Sequence, residues 1–171
     1  DSWSSEDKSL PMRYATSIPT QFNESNSGKW TNLHNGDRIW MLGIESADAY
    51  SLGITFSNFN LPEGAKLYVY SDNHLDYLGP LNHRDNRTNQ SMTLPPVNGS
   101  KIIIEYYEPY AFRGDGEFTI ASVAHGYRNL KDQTIYTEFP CMHELEISPV
   151  NNNILDASSS VLMMIVDNGQ R

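Results

Sequence analysis

Lys101-Ile102-Ile103-Ile104-Glu105-Tyr106-Tyr107 is the strongest strand signal in the chain. β-Branched isoleucines followed by tyrosines fit a pleated, half-buried surface. Turn signals bracket the run: Pro95-Pro96-Val97-Asn98-Gly99 precedes it and Pro109 ends it. The same texture recurs outward in both directions. Tyr50 to Phe56 alternates, which predicts Tyr50, Leu52, Ile54 and Phe56 on one face and Ser51, Gly53 and Thr55 on the other. Lys66 to Tyr70 follows the turn Pro62-Glu63-Gly64. Arg38 to Gly43, with Ile39, Trp40, Met41 and Leu42, follows Asn35-Gly36-Asp37. Downstream, Gly114-Asp115-Gly116 leads into Glu117 to Tyr127, carrying Phe118, Ile120 and Val123. Ser71 to Ser91 is long and hydrophilic, and reads as a surface excursion with a short strand near Leu78. No long helical period with capping signals interrupts the series. Short strands at regular spacing, parted by Gly, Pro and Asn turns, predict an all-β fold: an antiparallel β-sandwich, jelly-roll-like.

The flanks have a different texture. Residues 1–29 are polar and read as an irregular segment, so the sandwich is expected over 30–128. Residues 129–140 read as a linker, with Arg128 and Lys131 as its basic residues. Within 141–171 comes a second apolar segment, Ser160-Val161-Leu162-Met163-Met164-Ile165-Val166, bounded by Asp167-Asn168-Gly169. It is either a buried strand or a short helical turn plus a strand, because periodicity does not decide at this length. A hairpin without its second strand would end as this chain does at Arg171.

Composition excludes several function classes. Of 171 residues, 12 are Lys or Arg against 21 Asp or Glu, a formal net charge of -9. No basic stripe offsets that charge, which argues against binding a phosphate backbone. No apolar run reaches the ~18 residues of a membrane span. The first residues, from Asp1, are polar, as in a processed chain rather than a signal peptide. Cys141 is the only cysteine. It is either a small buried thiol or half of a disulfide whose partner lies elsewhere. With no second cysteine nearby, His143 does not complete a metal site with it.

Candidate chemistry is sparse. Asp72, Asn73 and Asp76 in the long loop, with His74 and His83, hint at oxygen ligands for a cation, but no calcium-loop pattern is complete, and a solvated loop is the competing reading. Glu105 and Glu108 form the kind of carboxylate pair a glycosidase needs, yet such pairs are common in acidic chains. No Gly-x-Ser-x-Gly elbow exists. His125 reads as structural. Trp40, Tyr68 and Tyr106 are expected in the core, the alternative being an aromatic platform for sugars. Sequons at Asn23, Asn86, Asn89 and Asn98 matter only in a glycosylating host. No cofactor is expected.

The strand and turn words together resemble a known family. They are Asp37-Arg38-Ile39-Trp40-Met41-Leu42-Gly43-Ile44, Ala49-Tyr50-Ser51-Leu52-Gly53-Ile54-Thr55-Phe56, and Phe59-Asn60-Leu61-Pro62-Glu63-Gly64-Ala65-Lys66-Leu67-Tyr68-Val69-Tyr70. Pro96-Val97-Asn98-Gly99 and Glu105-Tyr106-Tyr107-Glu108-Pro109 continue the scheme. Over roughly Trp30 to Tyr127 the chain resembles the N-terminal pro-region of secreted bacterial trypsin-like serine proteases of the lysyl endopeptidase kind. Phe139-Pro140-Cys141 and the apolar segment at 160–166 look like the opening of the protease part.

The resemblance implies a pro-domain that aids folding of its own protease domain, inhibits it, or both. It implies that 141–171 begin that protease domain, that Cys141 pairs with a cysteine beyond Arg171, and that the catalytic His, Asp and Ser also lie beyond Arg171. No residue of this chain then has a catalytic role. Processing is expected at Arg128 or Lys131, and the location is secreted or periplasmic. The alternative is a secreted β-sandwich module that recognises carbohydrate or a cell-surface partner.

Overall fold

A computed structural model of the chain describes residues 13–129. These residues form strands β1 (Ala15–Asn23), β2 (Lys29–Asn32), β3 (Arg38–Glu45), β4 (Ser51–Asn60), β5 (Lys66–Ser71) and β6 (Tyr77–Leu81). Strands β7 (Met92–Thr93), β8 (Val97–Asn98), β9 (Lys101–Glu108) and β10 (Glu117–Gly126) complete them. Short 3-10 turns occur at His83–Asp85 and Tyr110–Phe112.

One sheet runs β1-β10-β4-β7, with β8 also paired to β4; the other runs β2-β3-β9-β5-β6. Every pairing is antiparallel. The pairs β1/β10, β3/β9, β4/β7 and β5/β6 are nested. The chain therefore follows one long hairpin wound around itself, with its arms dealt alternately to the two sheets. That is jelly-roll connectivity, as expected. The β2–β3 hairpin widens one edge.

The strongest strand signal is β9, in the middle of its sheet. Ile102, Ile104 and Tyr106 are fully buried, while Lys101, Ile103, Glu105 and Tyr107 are half-buried on the other face. Leu52, Ile54 and Phe56 of β4 face them from the opposite sheet, as the alternation predicts. Phe118 joins the layers. Its ring centroid lies 5.4 Å from Trp40, 5.1 Å from Tyr106 and 6.0 Å from Phe56, each edge-on. Such pairs each add about 0.5–1.5 kcal/mol beyond burial. The Trp40 indole Nε1 donates to the Ser27 carbonyl at 2.8 Å, so its burial leaves no polar group unpaired.

Three expectations need correction. The irregular reading of 1–29 fails at β1, whose side chains are mostly exposed. As an edge strand it is held by its ladder to β10 and tolerates Pro19, so it carries no hydrophobic alternation. Tyr50 does not join the core face: it precedes β4 and is 56% exposed. Conversely Ser51 and Gly53 are buried, because β4 is central and neighbouring backbone shields even its small outward residues. Tyr68 is half-buried rather than in the core, whereas Trp40 and Tyr106 are fully buried as expected.

Candidate binding surface

Strand register sorts the loops into two rims. At the first, Glu45 pairs with Lys101, Ser71 with Ile102, and Ser51 with Gly126 and Asn98. At the second, Arg38 pairs with Glu108, Lys66 with Tyr107, and Asn60 with Glu117.

The first rim is stitched by hydrogen bonds. Tyr50 N–H donates to the Gly126 carbonyl and Gly99 N–H to the Tyr50 carbonyl, both at 2.8 Å. Asn98 N–H donates to Asp76 Oδ2 at 3.0 Å, and Tyr127 N–H to the Tyr14 carbonyl at 3.0 Å. On this fixed frame stand Tyr50, Leu75, Tyr77 and Tyr127, exposed by 56, 85, 69 and 39%. Among the described residues they are four of the eight exposed large apolar side chains, the others being Ile18, Phe22, Met41 and Tyr110, and apolar groups exposed at one rim are the usual mark of an interaction surface. Beside them His74 stacks on Tyr70, with centroids 5.0 Å apart. Tyr70 donates its hydroxyl to Glu105 at 3.0 Å. Burial, with that acceptor and its charge, pushes the Tyr70 hydroxyl up to about 12.

The long loop engages its own polar groups. Asp72 pairs with Lys101 at 3.0 Å, Asn73 Oδ1 accepts from the Ser71 hydroxyl at 2.7 Å, and Asp76 receives both the backbone and side chain of Asn98. Among the described residues, no group of three or more His, Cys, Asp or Glu is arranged to hold a metal ion. Glu105 and Glu108 lie three residues apart on one strand and so point to opposite faces. They do not face a common substrate. The His125 Nδ1 and the Ser46 hydroxyl are 2.8 Å apart, a structural contact joining β10 to the β3–β4 loop. Asn86 bonds both the N–H and the carbonyl of Leu61 at 2.9 Å, so this sequon asparagine is a loop clamp. Asn23 caps its own turn through the amides of Ser25 and Asn26.

The second rim has its own polar cluster, which sequence reasoning missed because its members are 70 residues apart in the chain. Arg38 and Glu108 form an ion pair in which Glu108 is 1% exposed. Glu108 Oε1 also accepts from Gly114 N–H at 3.1 Å, and the Arg38 guanidinium lies 3.7 Å from the Trp30 ring centroid. Next to it, Asp37 accepts from the Tyr107 hydroxyl at 2.5 Å and from Tyr110 N–H at 2.8 Å. These donors, with Asn35, hold the Asp37 carboxyl below the usual range. The only sequence signal was the turn word Asn35-Gly36-Asp37. A cleft of about 250 Å³ opens nearby between Lys66, Pro80, His83 and Arg84.

Of the processing candidates, Arg128 follows β10 at the first rim, its guanidinium 6.0 Å from the Tyr127 ring centroid. Lys131 and Cys141 lie outside the described residues, as do Trp3, the linker beyond Asn129 and the apolar segment 160–166.

The architecture defines an all-β jelly roll with an apolar rim. No protein-family model matches the chain. Among solved structures it is similar to the crystal structure of Aeromonas hydrophila PliG, a periplasmic lysozyme inhibitor of g-type lysozyme. The identity is 12% and the TM-score 0.27, over 65% of this chain and 83% of that one. Among the described residues, no helix is long and apolar enough to cross a membrane.

Proposed function

We propose that the jelly roll is a non-catalytic protein-binding domain, the pro-domain of a secreted serine endopeptidase, and that its partner is its own trypsin-like protease domain. The observation that carries this reading is the apolar rim of Tyr50, Leu75, Tyr77 and Tyr127, at the end where the chain leaves β10. The family words support it: they fall on β3, β4, the β4–β5 turn, β5 and β9, elements adjoining one core. A domain that binds the folded enzyme stabilises it by mass action, and a tether raises the effective concentration. Cleavage at Arg128 or Lys131 would end that tethering. Cys141 would pair with a cysteine beyond Arg171, which requires an oxidising, extracytoplasmic compartment.

The test compares the precursor with a version lacking residues 1–129. Active endopeptidase should appear from the first and fall sharply or vanish from the second. Equal yields would overturn the reading. The exposed tyrosines of the first rim support a second reading, a module that stacks on sugar rings. Retention on an immobilised glycan, lost in Tyr50→Ser with Tyr77→Ser, would favour it over the first.

A further inference from the structure

The β1–β2 turn carries Glu24, and the chain is pinned there by aromatic donors. Trp30 Nε1 donates to the Glu24 carbonyl at 3.0 Å and Trp40 Nε1 to the Ser27 carbonyl at 2.8 Å. Ser27 N–H closes the turn on the Asn23 carbonyl at 3.1 Å. Gly28 passes so close to Trp40 that a Cβ there would sit 2.6 Å from the indole ring. The Glu24 carboxyl turns inward, and its Oε2 is buried with no hydrogen-bond partner among the described residues. The charges that act on it come from three elements, Arg38 from β3, Glu108 from β9 and Glu117 from β10, with the Tyr106 hydroxyl of β9 also within reach of its charge, while its own backbone N–H bonds the carboxylate. Arg38 is already committed to Glu108. Among the described residues, the cation that acts on Glu24 thus already serves another carboxylate, and the buried oxygen has no donor.

We propose that Glu24 is an acid-closed latch: protonation of its carboxyl seats the β1–β2 turn on the second rim, and deprotonation loosens it. A protonated carboxyl removes a buried charge and relieves the repulsion from Glu117 and Glu108. Burial above all, with smaller pushes from Glu117 and Glu108, holds Glu24 above the usual carboxylate range against the opposing pull of its own backbone N–H and of Arg38. A carboxyl raised on folding contributes stability that is complete below its unfolded value and lost as pH rises through the folded one. The latch is independent of what the first rim binds.

Amide exchange of the turn, in the full chain and with intrinsic exchange divided out, tests the latch. Ser27 N–H should be several-fold better protected at about pH 4.5 than at about pH 7.5, either side of a raised carboxyl. Glu24→Gln should show the acid level of protection at both. Glu117→Gln, an exposed change that leaves the core untouched, should move the wild-type transition to lower pH. PH-independent protection in the wild type, or a wild-type profile in Glu24→Gln, would overturn the proposal. Should Glu24→Gln fail to fold, an unmoved transition in Glu117→Gln would overturn it equally.

Discussion

Phe118 touches Trp40, Tyr106 and Phe56 and is fully buried, so it holds the two sheets in one packing arrangement. Phe118→Ala should cost about 3–5 kcal/mol in urea unfolding, the range for emptying an aromatic site. Glu108 sets a different constraint. Arg38→Met would keep much of the contact on Trp30 but leave a carboxylate with 1% exposure facing no cation. Since Arg38 is itself partly solvated, a loss of about 3 kcal/mol is expected, the low end for breaking a buried pair. Asp37 sets the acid limb of stability. Its carboxyl is held low, so its contribution is complete above the unfolded value and lost as pH falls through the folded one. Thermal midpoints measured from about pH 5 down to about pH 3 should fall in the wild type, and less steeply in Asp37→Asn. That sign is opposite to Glu24, which gains on acidification.

At the scale of elements, β1 has the greatest consequence for solubility. It covers one side of β10 with a nine-residue strand, seven of whose residues pair with it, irregular between Pro19 and Phe22. The Thr20 hydroxyl bridges that irregular step to the Ile120 carbonyl at 2.7 Å. Removing residues 1–23 would expose the β10 edge, a ready template for strand pairing. Size-exclusion chromatography should then show dimers or larger species where the full chain runs smaller. β1 also marks what was legible. Central strands such as β4 and β9 announce themselves because burial demands alternating or continuous apolar residues. An edge strand such as β1 owes its existence to backbone bonds with β10, which side-chain pattern does not report. The same limit hid the Arg38–Glu108 pair, since β3 meets β9 only through the wound hairpin. Tyr50 was misplaced because its alternation continues smoothly into a loop, one residue before β4 begins. The rim could therefore not be read until register brought Tyr50, Leu75, Tyr77 and Tyr127 to one end.

For the whole molecule, strand register places the Arg38–Glu108 and Asp37 cluster, with the exposed Tyr110, at one rim, and Tyr50, Leu75, Tyr77 and Tyr127 at the other. The latch and the binding surface therefore belong to opposite ends of the jelly roll, and substitutions at one should leave the other unchanged. The net charge of -9 adds a long-range term. Association with a basic partner should slow as salt rises, because exposed charges beyond about 8–10 Å are screened near physiological ionic strength. The proposed pro-domain role requires that this chain bind a trypsin-like endopeptidase released from the same precursor. Calorimetric titration of the chain into that mature endopeptidase tests it. Saturable one-to-one binding is expected, weakened at least tenfold by Tyr50→Ser with Tyr77→Ser, about 1.4 kcal/mol. Absence of saturable binding by the unmodified, folded chain would contradict it.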